Sequence, residues 1–494
     1  MHPHFLLLAL VIGFLGGASI ILGPWFEYRG LFIFGLAILS IYMSLWQNKK
    51  LLLLLVFFVG VTLSFWSGEQ VRSISDESDA ALKLEEERVS IVDFPNMKSA
   101  YQEIHLKRYC REKICRQNIL WQAPLGTQYG AGESFLFSCQ IERVKNFSGD
   151  FNYRMYLAKE GIGFICKKGI VGQRLEPTYF GRWLGIIGQG RILTEEILAK
   201  ALPEPELGLA RGLVLGGNQY LSKDAGENFQ RIGMTHIVAV SGYNILLVAG
   251  VIFFLLAHVG VWRRQKIFLG SMAVWAFIIF VGAPASAVRA GGMALLFFLA
   301  LATGRKSSGF TVLLIAAFLM LLYNPLLLFY DVGFQLSFMA LLGILCASFE
   351  YGSETRTWRE RFLTALKTTL WVEAYILPLI VYHFGALTWF SIIANIVLLP
   401  IVPLAMLGTS ALLPLGILLP AGLLPIIVVP VYGVLWILIH FAEYFGSFSW
   451  IQLEGIKISV TGLLSWYGAL IAFAVVQLQK RKREWYAKAF LVDD

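Results

Sequence analysis

The chain has 494 residues, 57% of them hydrophobic and only 15% charged, with Phe, Trp and Tyr together at 14%. A soluble protein of this length carries more charge and fewer long apolar runs, so a water-soluble fold is excluded and a polytopic α-helical membrane protein is expected. The net charge of +9, from 41 Lys and Arg against 32 Asp and Glu, fits the cytoplasmic excess that any membrane protein carries.

Residues 1–67 read as N-terminal transmembrane helices at about 5–23, 30–46 and 51–67. A cleaved signal peptide fits less well, because the first tract has no Lys or Arg before it and two more spans follow directly. The basic loop from Gln47 to Lys50 places the N-terminus inside and the segment after Trp66 outside. Gly13 and Gly17 form a GxxxG packing signal, which bears weakly on a homo-oligomer.

Residues 68–178 form the polar part, expected to be an external or periplasmic β domain. Alternating runs at 89–92, 102–106, 118–121, 134–137 and 163–166, broken by Gly and Pro, argue for short strands. About five strands in roughly ninety residues suit a small closed barrel of the OB-fold type. Four of the five cysteines lie here, Cys110, Cys115, Cys139 and Cys166, which suggests disulfides and an oxidising compartment. Three pairings are open; Cys110–Cys115 across a hairpin with Cys139–Cys166 between strands is preferred. Zinc fits poorly, since no CxxC pair and no clustered His is present.

Between Arg88 and Arg174 there are 14 Lys and Arg against 7 Asp and Glu. Lys107, Arg108, Arg111, Lys113 and Arg116 share one expected hairpin with Tyr109, and Tyr101 lies beside them. Basic groups interleaved with aromatic rings suit a single-stranded nucleic acid, whose backbone and bases would each find a partner. The competing reading is a solvated positive face with the Tyr rings in the core.

Residues 179–235 read as amphipathic juxtamembrane helices. Trp183, Leu184, Ile186 and Ile187, then Ile192, Leu193, Ile197 and Leu198, recur at helical spacing and suit the outer membrane–water interface. Residues 236–480 carry nine further spans, at about 237–259, 267–283, 287–303, 309–323, 332–350, 368–384, 389–411, 416–440 and 458–478. With the first three they make about twelve. Basic clusters at Arg263, Arg264 and Lys266, at Arg305 and Lys306, at Arg356, Arg359, Arg361 and Lys367, and at Lys480 to Arg483 all fall inside if residues 68–235 are outside. Residues 481–494 are then a basic cytoplasmic tail, and both termini are cytoplasmic. Prolines 378, 400, 403, 414, 420, 425 and 430 interrupt several spans, so a re-entrant segment is compatible with the pattern.

The helix that starts near Gly233 brings His236, Ser241, Tyr243 and Asn244 into apolar surroundings, which is costly unless they face protein or water. His236 and Ser241 are five positions apart, roughly 140° around a helix, so they suit a polar vestibule better than a hydrolytic pair. Arg289 and Asp331 each begin a helix on the outer side; Arg289 either contacts a phosphate, pairs with Asp331, or snorkels. Gln335 and Ser337 suit interhelical hydrogen bonds. Glu373, deep in an apolar span, is the candidate for a proton-coupled step, against the commoner paired or neutral carboxyl. His236, Ser241, Tyr243, Asn244, Arg289, Asp331, Gln335 and Glu373 thus make the expected lining set. The seven His are scattered, so no metal and no cofactor is expected. Thr303-Gly304-Arg305-Lys306-Ser307 lacks the first Gly of a phosphate-binding loop, so ATP hydrolysis by that route is not expected.

Five stretches taken together resemble the ComEC family of competence proteins, the inner-membrane DNA uptake channels. They are Asn146 to Ile162 (where the family more often has Asp than Asn152), Gly233 to Gly250, Ala285 to Ala290, Asn324-Pro325 with Asp331 to Phe338, and Asn395 to Pro400. The resemblance implies import of single-stranded DNA across the bacterial inner (plasma) membrane and no enzymatic activity. It also implies an external DNA receptor and a cytoplasmic motor or strand-binding proteins as partners. No HxHxDH motif occurs, so the expected form lacks the family's C-terminal metallo-β-lactamase-like domain. The rival readings are a permease for another polyanion or a lipid-linked polymer, an intramembrane hydrolase using Ser241 and His236, and a scaffold whose barrel binds a protein.

Overall fold

The computed structural model describes residues 82–470 apart from 99, 111–112, 115–117, 128, 147–151, 239–240, 303–308, 351–356 and 421, together with 472, 473 and 476. The three N-terminal spans and the basic tail lie outside the described residues.

Each of the five alternating runs falls on a strand, the first overrunning its end by Val92 alone. β1 (Leu82–Ile91), β3 (Gln102–Cys110), β5 (Asn118–Ala123), β6 (Ser134–Arg143) and β7 (Ile162–Leu175) are the long ones; β2 (Asn96–Met97) and β4 (Lys113–Ile114) extend β3. β1 pairs antiparallel with both β3 and β6, β3 with β5, and β7 with β6, while β5 and β7 run parallel. The circuit β1–β3–β5–β7–β6 therefore closes, leaving no free edge along those five strands. Period-two alternation turns Ile104 and Leu106, Ile119 and Trp121, Phe135, Phe137, Cys139 and Ile141 into one buried core. In β1 the inward residues are Leu84, Val89 and Ile91, a change of phase absorbed by a bulge between Leu84 and Glu87 where Glu86 has φ +49°. Gly169 faces Cys139 because a Cβ there would collide with the Phe137 ring, which meets Trp121 edge-on at 5.0 Å. Cys139 and Cys166 form a disulfide between β6 and β7, with Cα atoms 6.3 Å apart. The Cys110–Cys115 pairing lies outside the described residues.

Asn152 caps α1 (Tyr153–Ala158) by accepting from Met155 N at 3.1 Å. Asp and Asn serve equally at such a cap, which accounts for either residue standing there. α2 (Tyr179–Ala201) leaves the barrel so closely that a Cβ on Gly132 or Gly181 would strike the other residue's carbonyl oxygen. Its Leu184 and Leu198 are buried, while Trp183, Ile186 and Leu193 are exposed.

The helices that follow are α3 (Glu206–Leu215), α4 (Lys223–Arg231), α5 (Thr235–Val238), α6 (Gly242–His258), α7 (Arg263–Phe280), α8 (Ala285–Ala302), α9 (Gly309–Tyr323), α10 (Leu327–Tyr330), α11 (Val332–Glu350), α12 (Trp358–Phe384), α13 (Ser391–Leu398), α14 (Val402–Leu418) and α15 (Leu424–Gly446). α3 is buried on every side except at Arg211. It anchors a core with α4, α5, α13, α14 and α15, built on Leu209, Leu213, Phe229, Ile237, Ala394 and Leu435.

The first three of the twelve expected spans lie outside the described residues. Among the described residues three helices are long and apolar enough to cross a membrane: Thr235–His258 (taken across 239–240), Trp358–Phe384 and Leu424–Gly446. The pair α13 and α14, bent by 50°, makes a fourth if it is one span. α9 has 15 residues and rises about 22 Å, short of the ~30 Å hydrocarbon core. The chain also breaks elsewhere than expected: residues 399–401 separate α13 from α14, and residues 419–423 separate α14 from α15, while Pro414 and Pro430 stay inside helices.

Pro378 lies inside α12 and has no N–H to give Ala374 O, four residues earlier. Trp466 Nε1 takes that place at 3.0 Å, and Tyr467 OH donates to the next carbonyl, Tyr375 O, at 2.7 Å. Helical backbone at 460–470 is thereby fixed to the proline site.

Candidate functional site

The barrel meets the helices at the end of α1. Gly161 (φ +74°) turns the chain from α1 into β7 and leaves Lys159 pointing at the α9–α11 connection. Asn324 Nδ2 donates to Lys159 O at 2.7 Å, and its Oδ1 accepts from Leu326 N at 3.1 Å. Pro325 holds that turn open by ending α9. Lys159 Nζ lies 3.4 Å from Asp331 Oδ2, 3.9 Å from Glu160 and 4.2 Å from the Tyr156 ring centroid.

Asp331 divides its carboxylate. Oδ1 caps α11 by accepting from Phe334 N at 2.8 Å, while Oδ2 faces Lys159 and, at 3.9 Å, Arg289 Nη1. Arg289 comes from the first turns of α8 and is 4% exposed. Its Nη2 donates to Ser337 Oγ at 3.5 Å, while Nε and Nη1 have no hydrogen-bond acceptor among the described residues. A buried guanidinium with two idle donors is costly and is suited to one more oxyanion. Gly333 makes the approach feasible, because a Cβ there would sit 3.1 Å from Asp331 Oδ1 and 3.2 Å from Arg289 Nη2. Gln335 extends the network: its Nε2 donates to Leu328 O at 2.7 Å and its Oε1 meets His383 Nε2 at the same distance.

Arg289, Asp331 and Gln335 of the expected lining set thus belong to one seam. The α6 group lies beside it. Ser241 donates to Asn244 Oδ1 at 3.4 Å, Asn244 is 1% exposed with Nδ2 unpartnered among the described residues, and Gly242 packs on Ala290. Tyr243 and His236 are exposed on the described surface. Glu373 stands apart, bonded to α13 (Ser391 Oγ at 3.0 Å, Asn395 Nδ2 at 3.2 Å).

On the barrel, Arg108 is held by Glu87 through two bonds of 3.1 and 3.2 Å. The Arg88 guanidinium carbon lies 5.9 Å from the Tyr109 ring centroid. Lys107 forms no ion pair among the described residues. Arg111 and Arg116 lie outside the described residues, and for Lys113 only the strand backbone is described.

Two residues that join the barrel to the helices escaped the sequence. Lys159 stood inside the family-like stretch but carried no pattern of its own. Arg191, on α2, is 6% exposed and ties four elements together: it donates to Leu215 O at 3.1 Å and Phe280 O at 2.6 Å, meets Tyr220 OH at 3.4 Å, and lies 4.3 Å over Phe94 of the barrel. Burial raises the Tyr220 hydroxyl above its ordinary value, so it stays a donor to Glu195 at 3.0 Å. Burial at helix spacing was the one available signal for Arg191, and it reads like any amphipathic face.

A closed β-barrel seated on a bundle of apolar, proline-broken helices, joined by a buried carboxylate between two cations, defines a membrane protein with a β domain outside the bilayer. The profile of the competence protein family matches residues 213–480, and the chain belongs to that family, the ComEC family its motifs resemble. It is similar to ComE operon protein 3 of Bacillus subtilis (strain 168), 23% identical over 269 residues, which are 53% of this chain and 34% of that protein. The chain thus spans about a third of that relative's length. No solved structure matches it.

Proposed function

We propose that this protein conducts single-stranded DNA across the bacterial inner membrane during competence, acting as a conduit and not as an enzyme. The single observation that carries the reading is Arg289, buried at the seam with two idle N–H donors. A phosphodiester oxygen would satisfy both donors in a way a neutral substrate cannot. The barrel, whose five long strands close into a circuit and which we read as an OB-fold, would receive the strand outside, with Lys107, Arg111, Lys113 and Arg116 as the basic approach. Membrane lipids surround the helices, an external receptor hands over DNA, and cytoplasmic motor or strand-binding proteins complete import; self-association through the N-terminal segment is part of the same proposal.

The family membership supports this reading. The test is uptake of labelled single-stranded DNA by cells carrying Arg289→Ala, compared with a deletion and with wild type at equal membrane abundance. Deletion abolishes internalised DNA, and Arg289→Ala lowers it at least tenfold. Uptake by Arg289→Ala equal to wild type removes Arg289 from the pathway. A deletion that still internalises DNA while losing a surface polymer turns the reading to a permease for that polymer.

A further inference from the structure

Lys159 comes from the β domain and Arg289 from the helices, yet both face one carboxylate. Asp331 Oδ1 is committed to Phe334 N at 2.8 Å, so Oδ2 is what both cations share. Lys159 Nζ stands 3.4 Å from Oδ2, and Arg289 Nη1 stands 3.9 Å from it. Only the shorter separation approaches a hydrogen bond. The carboxylate is spent on the lysine.

The other pairing is open to the same atoms. An arginine and a carboxylate combine best through two parallel N–H donors. Arg289 has Nε and Nη1 without acceptors among the described residues, and Nη2 holds Ser337 Oγ only at 3.5 Å. A shift of about 1 Å would bring Nη1 within hydrogen-bond reach of Asp331. That pairing would consume a donor a phosphate needs.

Lys159 stands in its way. Asn324 Nδ2 donates to the lysine carbonyl at 2.7 Å, and the Tyr156 ring centroid lies 4.2 Å from Nζ. Glu160 is 3.9 Å from Nζ, but its side chain is 39% exposed against 6% for Asp331. Water screens the exposed carboxylate, so Asp331 is the stronger partner. Across Lys159, Asp331 and Arg289, two cations face one carboxylate and one positive charge is left over. Without the lysine the charges cancel, and nothing remains to draw an anion.

We infer that Lys159 keeps the arginine of the helices open to phosphate. Seated, it holds Asp331 off Arg289 and leaves the guanidinium its idle donors. Withdrawn, it lets Asp331 and Arg289 close on each other. Lys159 is thus a positioning residue that touches no phosphate itself, and the seating of the β domain becomes a condition for strand binding among the helices. This rests on the reading of Arg289 as a phosphate contact.

The experiment measures the affinity of a fluorescent single-stranded oligothymidylate for the full-length protein in maltoside micelles, which carry no phosphate. Arg289→Ala sets the scale, with an expected loss of about tenfold. Lys159→Met is expected to lose as much. Lys159→Met combined with Asp331→Asn is expected to bind like wild type, because Asn keeps the cap on Phe334 N and carries no charge to hold Arg289. A lysine that bound the strand directly would show no such recovery. If Arg289→Ala costs nothing, the phosphate reading itself fails. If Arg289→Ala binds weakly while Lys159→Met binds like wild type, or while the double variant stays weak, the role of Lys159 alone is overturned. Should Lys159→Met not fold, Asp331→Asn decides: affinity at or above wild type supports the role, and lower affinity overturns it.

Discussion

Lys159 Nζ and Asp331 Oδ2 lie 3.4 Å apart, one at the end of the barrel's helix and the other at the start of a helix in the bundle. Both side chains are almost fully enclosed, at 9% and 6% exposure. A contact of this kind fixes how the β domain sits on the helices, because a buried charge deprived of its partner is destabilising.

Lys159→Met keeps the side chain's length and removes its charge. Asp331 retains Arg289, so the loss should fall below the ~3–5 kcal/mol of a fully broken buried pair. Lys159→Met and Asp331→Asn should also be non-additive, with a coupling of about 0.5–3 kcal/mol. Thermal unfolding of the full chain in nanodiscs measures both. Strict additivity would mean that the two residues do not interact.

Gly333→Ala sets two effects against each other. Helix propensity favours Ala by up to ~1 kcal/mol. The added Cβ, however, meets Asp331 Oδ1 at 3.1 Å and Arg289 Nη2 at 3.2 Å. Crowding in a packed site costs roughly 1–3 kcal/mol, so net destabilisation is expected. A raised midpoint in the same unfolding assay would show that the seam has slack.

Trp466→Phe removes the donor that serves Ala374 O where Pro378 cannot. The cost should be near the ~0.6 kcal/mol average for interhelical hydrogen bonds in membrane proteins. In a Pro378→Ala background the backbone N–H returns, and the effect of Trp466→Phe should shrink. An undiminished effect would show that ring packing, and not the hydrogen bond, is what Trp466 provides.

The sequence by itself determined which runs become strands, since the period-two alternation of Phe135, Phe137, Cys139 and Ile141 is a local property of the chain. It likewise placed α9 and α11 to the residue, preferred the Cys139–Cys166 pair, and named Asp331 as one of the candidate partners of Arg289. Tertiary structure decided the rest. Asn324 reaches Lys159 across 165 positions, and no spacing rule links residues so far apart. The break fell at 399–401 and not near 411–416, because Pro414 fits inside α14 while the chain turns after Leu398. Whether a carboxyl or a guanidinium in an apolar helix is paired, idle or protonated depends on which donors come within about 3 Å of it, and only the folded backbone sets those distances.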